Sequence, residues 1–152
     1  MGLDQVIVGQ IGLMRALMRH ALRAPLIERP MVGDLAQVVD YLAHEIGHGP
    51  VETLHILFMD SSNRLVDEMT ETGDIDSVHV GIRAIVQRAL INGAAGLILA
   101  HNHPSGDNHA SKADREVTRA LARAVAGLGI VLYDHLIIAG REVRSLRAEG
   151  VL

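Results

Sequence analysis

The segment His101-Asn102-His103-Pro104-Ser105-Gly106-Asp107-Asn108-His109-Ala110-Ser111-Lys112-Ala113-Asp114 fits the spacing H-x-H-x7-S-x2-D. Two imidazoles and a carboxylate, drawn from a strand end and the first turn of the next helix, can hold a divalent cation and leave one position open. A zinc ion held this way brings the pKa of water down to about 7, which makes water a nucleophile near neutral pH. The chemistry suggested is hydrolysis. His101 and His103 alternate along an extended segment, so their rings approach one point when Asn102 points away and Pro104 stiffens the exit. Asp114 falls three residues into the helix, where the helix dipole favours a carboxylate. Hydrolysis also needs a general base and a donor for the developing oxyanion, and the candidates are Glu52 and Ser111. Glu52 starts an apolar strand and shares a face with Leu54, Ile56 and Phe58, which aims its carboxylate into the fold near a sheet edge. A carboxylate there requires a partner, because burying it alone is costly.

The elements that must position these groups can be read from periodicity and punctuation. Two helices are expected in the first fifty residues, divided at Ala24-Pro25, since proline restrains the residue before it and cannot donate to the helix ladder. In the first, Leu13, Met14, Leu17, Ala21 and Leu22 repeat at helical spacing, while Arg15, Arg19 and Arg23 mark another, solvated face. In the second, Asp34 and Gln37 offer a capping pair, and Leu35, Val38, Val39, Leu42 and Ile46 form a buried stripe ended by Gly47 and Gly49-Pro50. Val51 to Met59 is a strand covered on both faces, and Asp60-Ser-Ser-Asn63 turns it into a second, Arg64 to Glu71. Ser77 opens a helix with Ile82, Ile85, Val86, Ala89 and Leu90 inward. A buried strand, Ala95 to Ala100, then delivers His101. A helix from Ser111 to about Gly127, a strand Ile130 to Ala139 and a short return strand complete an α/β fold, a mixed sheet flanked by helices.

Composition narrows the function classes. A chain of 152 residues, 49% hydrophobic and 21% charged, has the profile of one soluble domain with one core. With 0 Cys, a metal must be held by nitrogen and oxygen ligands, and a reducing cytoplasm fits. A net charge of −4 and 2% aromatic residues give little for phosphate backbones or stacked bases, so charge does not support a nucleic-acid partner. The start Met1-Gly-Leu-Asp4 lacks the basic region of a secretory signal, and the apolar run Gly93 to Ala100 is too short to span a bilayer, so no membrane partner is expected. Oligomeric state and the identity of a substrate are not encoded in these patterns.

Each candidate also has an ordinary reading: Ser111 as a helix cap, Asp114 as a helix-start carboxylate, each histidine as a hydrogen-bonded loop residue. Their joint spacing is what favours a metal site. Two other patterns carry less. His44-Glu-Ile-Gly-His48 spells the H-E-x-x-H of zinc proteases, but both histidines fall away from the apolar stripe, glycines end the helix at once, and only Glu68 or Glu71 could serve as a distant third ligand. His101-Asn102-His103 matches HNH nucleases in letters alone. His135, in an apolar strand after Asp134, reads as a satisfied core histidine or one that orients a ligand.

The motif as a whole resembles the JAMM metalloprotease (MPN) domain. The wording His101-Asn-His-Pro-Ser-Gly-Asp107, with Asp134-His135 before an apolar strand, is similar to its bacterial RadC-like branch, over about Leu26 to Leu152. That resemblance divides the chain into a helical segment, 1–25, and a RadC-like JAB/MPN domain, 26–152. It implies a fold similar to cytidine deaminases, with one zinc ion per chain on His101, His103 and Asp114, Glu52 activating the attacking water, and Ser111 steadying the tetrahedral intermediate. The implied activity is cleavage of a peptide or isopeptide bond in an unknown peptide or protein substrate. Alternatives are a non-catalytic, metal-bound scaffold or DNA-repair-associated accessory protein and, more weakly, a metal-dependent nuclease or deaminase, though a deaminase of the usual type wants Cys ligands. Asn108 and Ala110 stand where the family often has proline, His109 is an extra potential ligand with a surface role expected, and the resemblance leads one to expect the family's amino-terminal helical module in shortened form in the segment before Pro25.

Overall fold

A strand that is apolar at every second residue on both sides cannot face water on either, so helices must cover both faces of its sheet. In the computed structural model, which describes residues 2–31, 35–73, 79–140 and 142–152, the elements follow in the order α1 (Gly2–Glu28), α2 (Ala36–Ile46), β1 (Thr53–Met59), β2 (Leu65–Thr72), α3 (His79–Ile91), β3 (Gly96–Asn102), α4 (Lys112–Ala126), β4 (Val131–Ala139) and β5 (Glu142–Ser145). They build one mixed five-stranded sheet in the order β2-β1-β3-β4-β5. Only β3 and β4 run parallel, and α4 supplies the crossover that a parallel pair requires.

The two faces have separate cores. Leu57 and Met59 of β1, Ile98 and Ala100 of β3, and Leu136 and Ile138 of β4 pack beneath Val38, Tyr41, Leu42 and Ile46 of α2 and Leu26 of α1. On the other face Leu54, Ile56, Phe58, Leu97 and Leu99 meet Ile85 and Ala89 of α3 and Leu121 and Val125 of α4. Leu90, expected to point inward, is 54% exposed, because it lies about 100° round the helix from the buried Ala89. Gly96 is required by a close approach: a Cβ there would lie 2.1 Å from the Tyr133 ring across the β3–β4 pair. The capping role expected of Asp34 and the helix start expected at Ser77 lie outside the described residues; Leu35 occupies the N-cap position of α2 without a side-chain bond.

The first helix differs most from expectation. It does not divide at Pro25 but continues to Glu28, so the boundary expected between residues 25 and 26 falls inside one helix. Burial of Leu26 in the α2 core holds the extra turn, offsetting the backbone hydrogen bond that proline cannot make. Its arginine stripe is not simply solvated either. Arg19 and Arg23 reach Glu68 on β2 at 3.2 and 2.9 Å, and Arg19 also meets Glu45 at 3.1 Å, whereas Leu13, Met14 and Leu17 are exposed.

Glu68 is the hub of this docking, bonded in addition to the Tyr41 hydroxyl and, at 3.1 Å, to the buried His55 ring. Burial alone would raise its carboxyl, but the bonds from His55 and Tyr41, with the nearby Arg23, outweigh it and bring the pKa from 4.5 down to about 2. A folded-state pKa below the unfolded one means stability that is fully present above about pH 5 and is lost as pH falls toward 2. Glu68→Gln is therefore expected to cost about 2–3 kcal/mol at pH 7, less than the about 3–5 typical of a fully buried pair because the arginines keep access to water. In urea denaturation the gap between the two proteins should narrow from pH 5 to pH 2; a gap independent of pH would remove Glu68 as the docking charge.

Candidate metal centre

Register brings the chemical groups together. In the antiparallel β1–β3 pair Leu54 stands opposite His101, and the same register continued outward sets Glu52 beside His103. Glu52 precedes β1 by one residue and shares the side of Leu54, while His101 shares that of Leu97 and Leu99, the face covered by α3 and α4. The loop after His103 then leads to α4, whose first turn carries Asp114. Two consecutive elements and one distant in sequence, β1, thus meet at the carboxyl end of β3, a usual place for ligands in sheets of this kind.

Ligand atoms of Glu52, His101 and His103 lie within 4.8 Å of one another. The two histidines present Nε2 to Nε2 at 2.9 Å, and Asp114 adds Oδ1 at 3.3 Å from His101 and Oδ2 at 3.9 Å from His103. Asp114 is doubly used. It forms a capping box with Ser111, whose backbone N–H donates to Asp114 Oδ2 at 2.6 Å while Asp114 N–H donates to Ser111 Oγ at 3.0 Å. The capping and chemical readings of these two residues are compatible, since the cap is what fixes the carboxylate beside the imidazoles.

For neutral rings, the tautomer of each histidine follows from what its neighbours can accept. His103 Nδ1 lies 2.5 Å from the Asp107 carbonyl, which only accepts, so Nδ1 carries a proton, and in the neutral ring Nε2 is the lone pair. Thr118 Oγ1 lies 2.5 Å from the Asp114 carbonyl and must donate there, leaving its oxygen to accept from His135 Nδ1, also at 2.5 Å. His135 Nε2 is then a lone pair and accepts from His101 Nδ1 at 2.8 Å, which leaves His101 Nε2 a lone pair as well. Burial first, then the neighbouring imidazoles, hold His101 and His135 well below the ordinary histidine range, so both rings are neutral, the form that binds metal.

Two nitrogen lone pairs and two carboxylates therefore converge with no proton assigned between them. A proton could bridge only two of these acceptors; a divalent cation satisfies the set. Two ligands about 2.0–2.1 Å from a tetrahedral zinc stand about 3.3 Å apart, and the observed 2.9, 3.3 and 3.9 Å bracket that spacing. The residues fit a nitrogen- and oxygen-bound zinc ion.

Asn102 places Glu52. Its side chain lies on the opposite face, where Nδ2 donates to Gly49 and Val51 carbonyls, each at 3.2 Å, and Oδ1 accepts from Thr53 N–H at 2.7 Å. The bonds to Val51 and Thr53 flank Glu52 on both sides. Asn102→Ala leaves three partly buried backbone groups short of a partner and is expected to cost about 2–4 kcal/mol. Asn102→Asp should be no better, because a carboxylate would face two carbonyls. Urea denaturation measures this, and a cost below about 1 kcal/mol would remove the clamp.

The remaining sequence candidates separate cleanly. His109 is exposed and paired with Asp107 at 2.6 Å, away from the cluster. The loop is also held by Asn108, which bonds Glu142 at 3.1 Å and Arg144 at 3.4 Å. His44 directs Nε2 at the Arg15 carbonyl, 3.2 Å away, and with His48 lines a cavity of about 710 Å³ beside α2 that contains none of Glu52, His101, His103 or Asp114. Glu68, the imagined distant ligand of that helix motif, is committed to docking α1. Asp134 is structural: it accepts from the backbone N–H groups of His135 and Arg147 and from Ser145 Oγ, fastening β5 and the turn after it. Sequence reasoning missed Thr118 and the clamp made by Asn102. Thr118 offers only a weak signal, four residues after Asp114 and so on the same helix face.

The family described as the RadC-like JAB domain matches residues 32–151. A UPF0758 protein of Rhodobacter capsulatus is 39% identical over 153 residues, covering 99% of this chain and 71% of that protein. A UPF0758 protein of Ruegeria pomeroyi is 34% identical over 152 residues, covering 99% and 68%. A third, from Burkholderia thailandensis, is 42% identical over 135 residues, which is 88% of this chain and 52% of the relative.

Proposed function

Because the chain belongs to the RadC-like JAB domain family, we propose that it is a zinc-dependent hydrolase of peptide or isopeptide bonds, with His101, His103 and Asp114 as metal ligands and Glu52 and Ser111 as catalytic residues. The observation that carries this reading is the convergence of two imidazole nitrogens with the carboxylates of Glu52 and Asp114. A bound zinc ion would supply a water acidic enough to attack at neutral pH. Glu52 takes one proton from the attacking water and delivers it to the nitrogen that leaves as the amide bond breaks. The Ser111 hydroxyl, which accepts from the Asp114 N–H, keeps its own proton to donate to the carbonyl oxygen as negative charge develops there. Asn102 and the capping box hold these groups in register, so little is reorganised during the reaction.

A second reading has one observation behind it. Glu52 is near enough to both histidines to be a fourth ligand, and a zinc site closed by four protein ligands is structural, which fits a non-catalytic scaffold. For a nucleic-acid substrate the net charge of −4 offers no support. Among the described residues no helix is long and apolar enough to cross a membrane, and the lack of Cys agrees with work in the cytoplasm.

Zinc-loaded and chelator-treated protein should be screened against peptides, isopeptide-linked conjugates and single- and double-stranded nucleic acids. Zinc-dependent cleavage of an amide bond is the expected result. Cleavage confined to nucleic acid would overturn it in favour of a nuclease, and zinc binding without turnover on any substrate would favour the scaffold.

A further inference from the structure

We infer that Thr118, acting through His135, decides which nitrogen of His101 faces the metal, and so makes the site competent to bind it. This rests on the metal-site reading above but concerns two residues that touch neither metal nor substrate. An imidazole with two ring nitrogens offers either one as its lone pair, and His101 is fully buried, with no solvent to choose between them. Its Nδ1 meets only another imidazole, His135 Nε2 at 2.8 Å, which could equally well donate or accept. The His101–His135 pair by itself therefore has no polarity, while the Asp114 carboxylate 3.3 Å from His101 Nε2 draws the ring proton to that nitrogen, so a lone pair facing the metal needs a stronger demand from the His135 side.

Thr118 supplies it. The hydroxyl has a single proton, and the Asp114 carbonyl 2.5 Å away cannot donate, so that proton lies between the two oxygens. The remaining lone pairs of Oγ1 face His135 Nδ1 at 2.5 Å and demand a proton from it. Polarity then passes along the chain in one direction, from His101 Nδ1–H to His135 Nε2 and from His135 Nδ1–H to Thr118, and ends with an open lone pair on His101 Nε2. Without the hydroxyl oxygen, His135 Nδ1 loses its acceptor and its proton is better placed on Nε2. His101 Nδ1 must then accept, and the proton moves to His101 Nε2, the atom that should bind metal. The carbonyl that fixes the chain belongs to Asp114, itself a proposed ligand, so the backbone of one ligand sets the tautomer of another.

Thr118 and His135 are thus positioning residues, and the test is built on Thr118→Val and Thr118→Ser. In zinc-free wild-type protein, 15N NMR of the imidazoles should show His101 protonated on Nδ1 and His135 on Nδ1. In Thr118→Val the His101 proton should move to Nε2, and zinc affinity, measured by chelator competition, should fall about 10–100-fold, as expected when an outer partner of a metal ligand is lost. Thr118→Ser keeps the hydroxyl and should restore both the tautomer and the affinity. A wild-type spectrum with His135 protonated on Nε2 overturns the inference even if the valine variant does not fold. So does a folded Thr118→Val that keeps the wild-type tautomer and affinity. Failure of the wild type to take up zinc would instead defeat the metal-site reading, while the tautomer measured without metal would still decide the relay.

Discussion

His103→Ala is expected to abolish stoichiometric zinc binding, taking the metal content of protein purified with zinc from about one ion per chain to a small fraction of that. His103 is the better ligand to remove because its side chain is 16% exposed, so truncation opens no core cavity, whereas His101 is wholly enclosed and tied to His135. Loss of one of the three proposed protein ligands should weaken binding by more than the about 10–100-fold that follows loss of an outer partner. Thermal unfolding provides a second readout. Zinc at about 100 times its dissociation constant stabilises a native state by about 2.7 kcal/mol, so wild type should melt higher with zinc and His103→Ala should not. His44→Ala should behave as wild type, since that ring is engaged with the Arg15 carbonyl and sits apart from the cluster. Equal zinc content in wild type and His103→Ala would eliminate the site, and loss only in His44→Ala would transfer it to the helix motif.

Glu52→Gln separates the enzyme from the scaffold. The amide has the shape of the carboxylate but no basic oxygen to take a proton, so zinc and fold should be retained while turnover of an amide substrate falls about 10²–10⁴-fold. If Glu52 were instead a fourth ligand closing a structural site, the same change would weaken zinc binding, and the two outcomes do not overlap. Ser111→Ala should lose about a hundredfold or more in kcat if its hydroxyl donates to the oxyanion. It should also cost about 1 kcal/mol as a lost cap, so rates must be compared on folded protein. A Glu52→Gln protein that cleaves a verified substrate at the wild-type rate defeats the proposed base.

Thr118 and Asn102 show where local sequence stops being informative. H-x-H-x7-S-x2-D could be read directly because its members are close in the chain and their functions depend on short geometry: alternation along a strand and one turn of helix. Strand and helix order was legible for the same reason, since period-2 and period-3.6 burial are local consequences of backbone geometry. Glu52 was found because it shares a strand face with Leu54, but its distance to the histidines depends on the β1–β3 register, which no local pattern sets.

The sequence by itself thus determined an α/β fold, the order of its elements and a set of residues able to hold a metal. Tertiary structure decided how those residues are supported. Packing of Leu26 carried α1 through a proline that local propensity would have made a break, and Glu68 drew Arg19 and Arg23 of the arginine stripe into ion pairs, because burial and ion pairing across elements outweigh a single lost backbone hydrogen bond. Asn102 reaches the backbone on either side of Glu52 from 49 and 51 positions away, and His135 meets His101 from 34. The polarity of hydrogen bonds is likewise absent from any motif: a neutral histidine has two tautomers of similar energy, and only the donors and acceptors that folding brings to its two nitrogens choose between them.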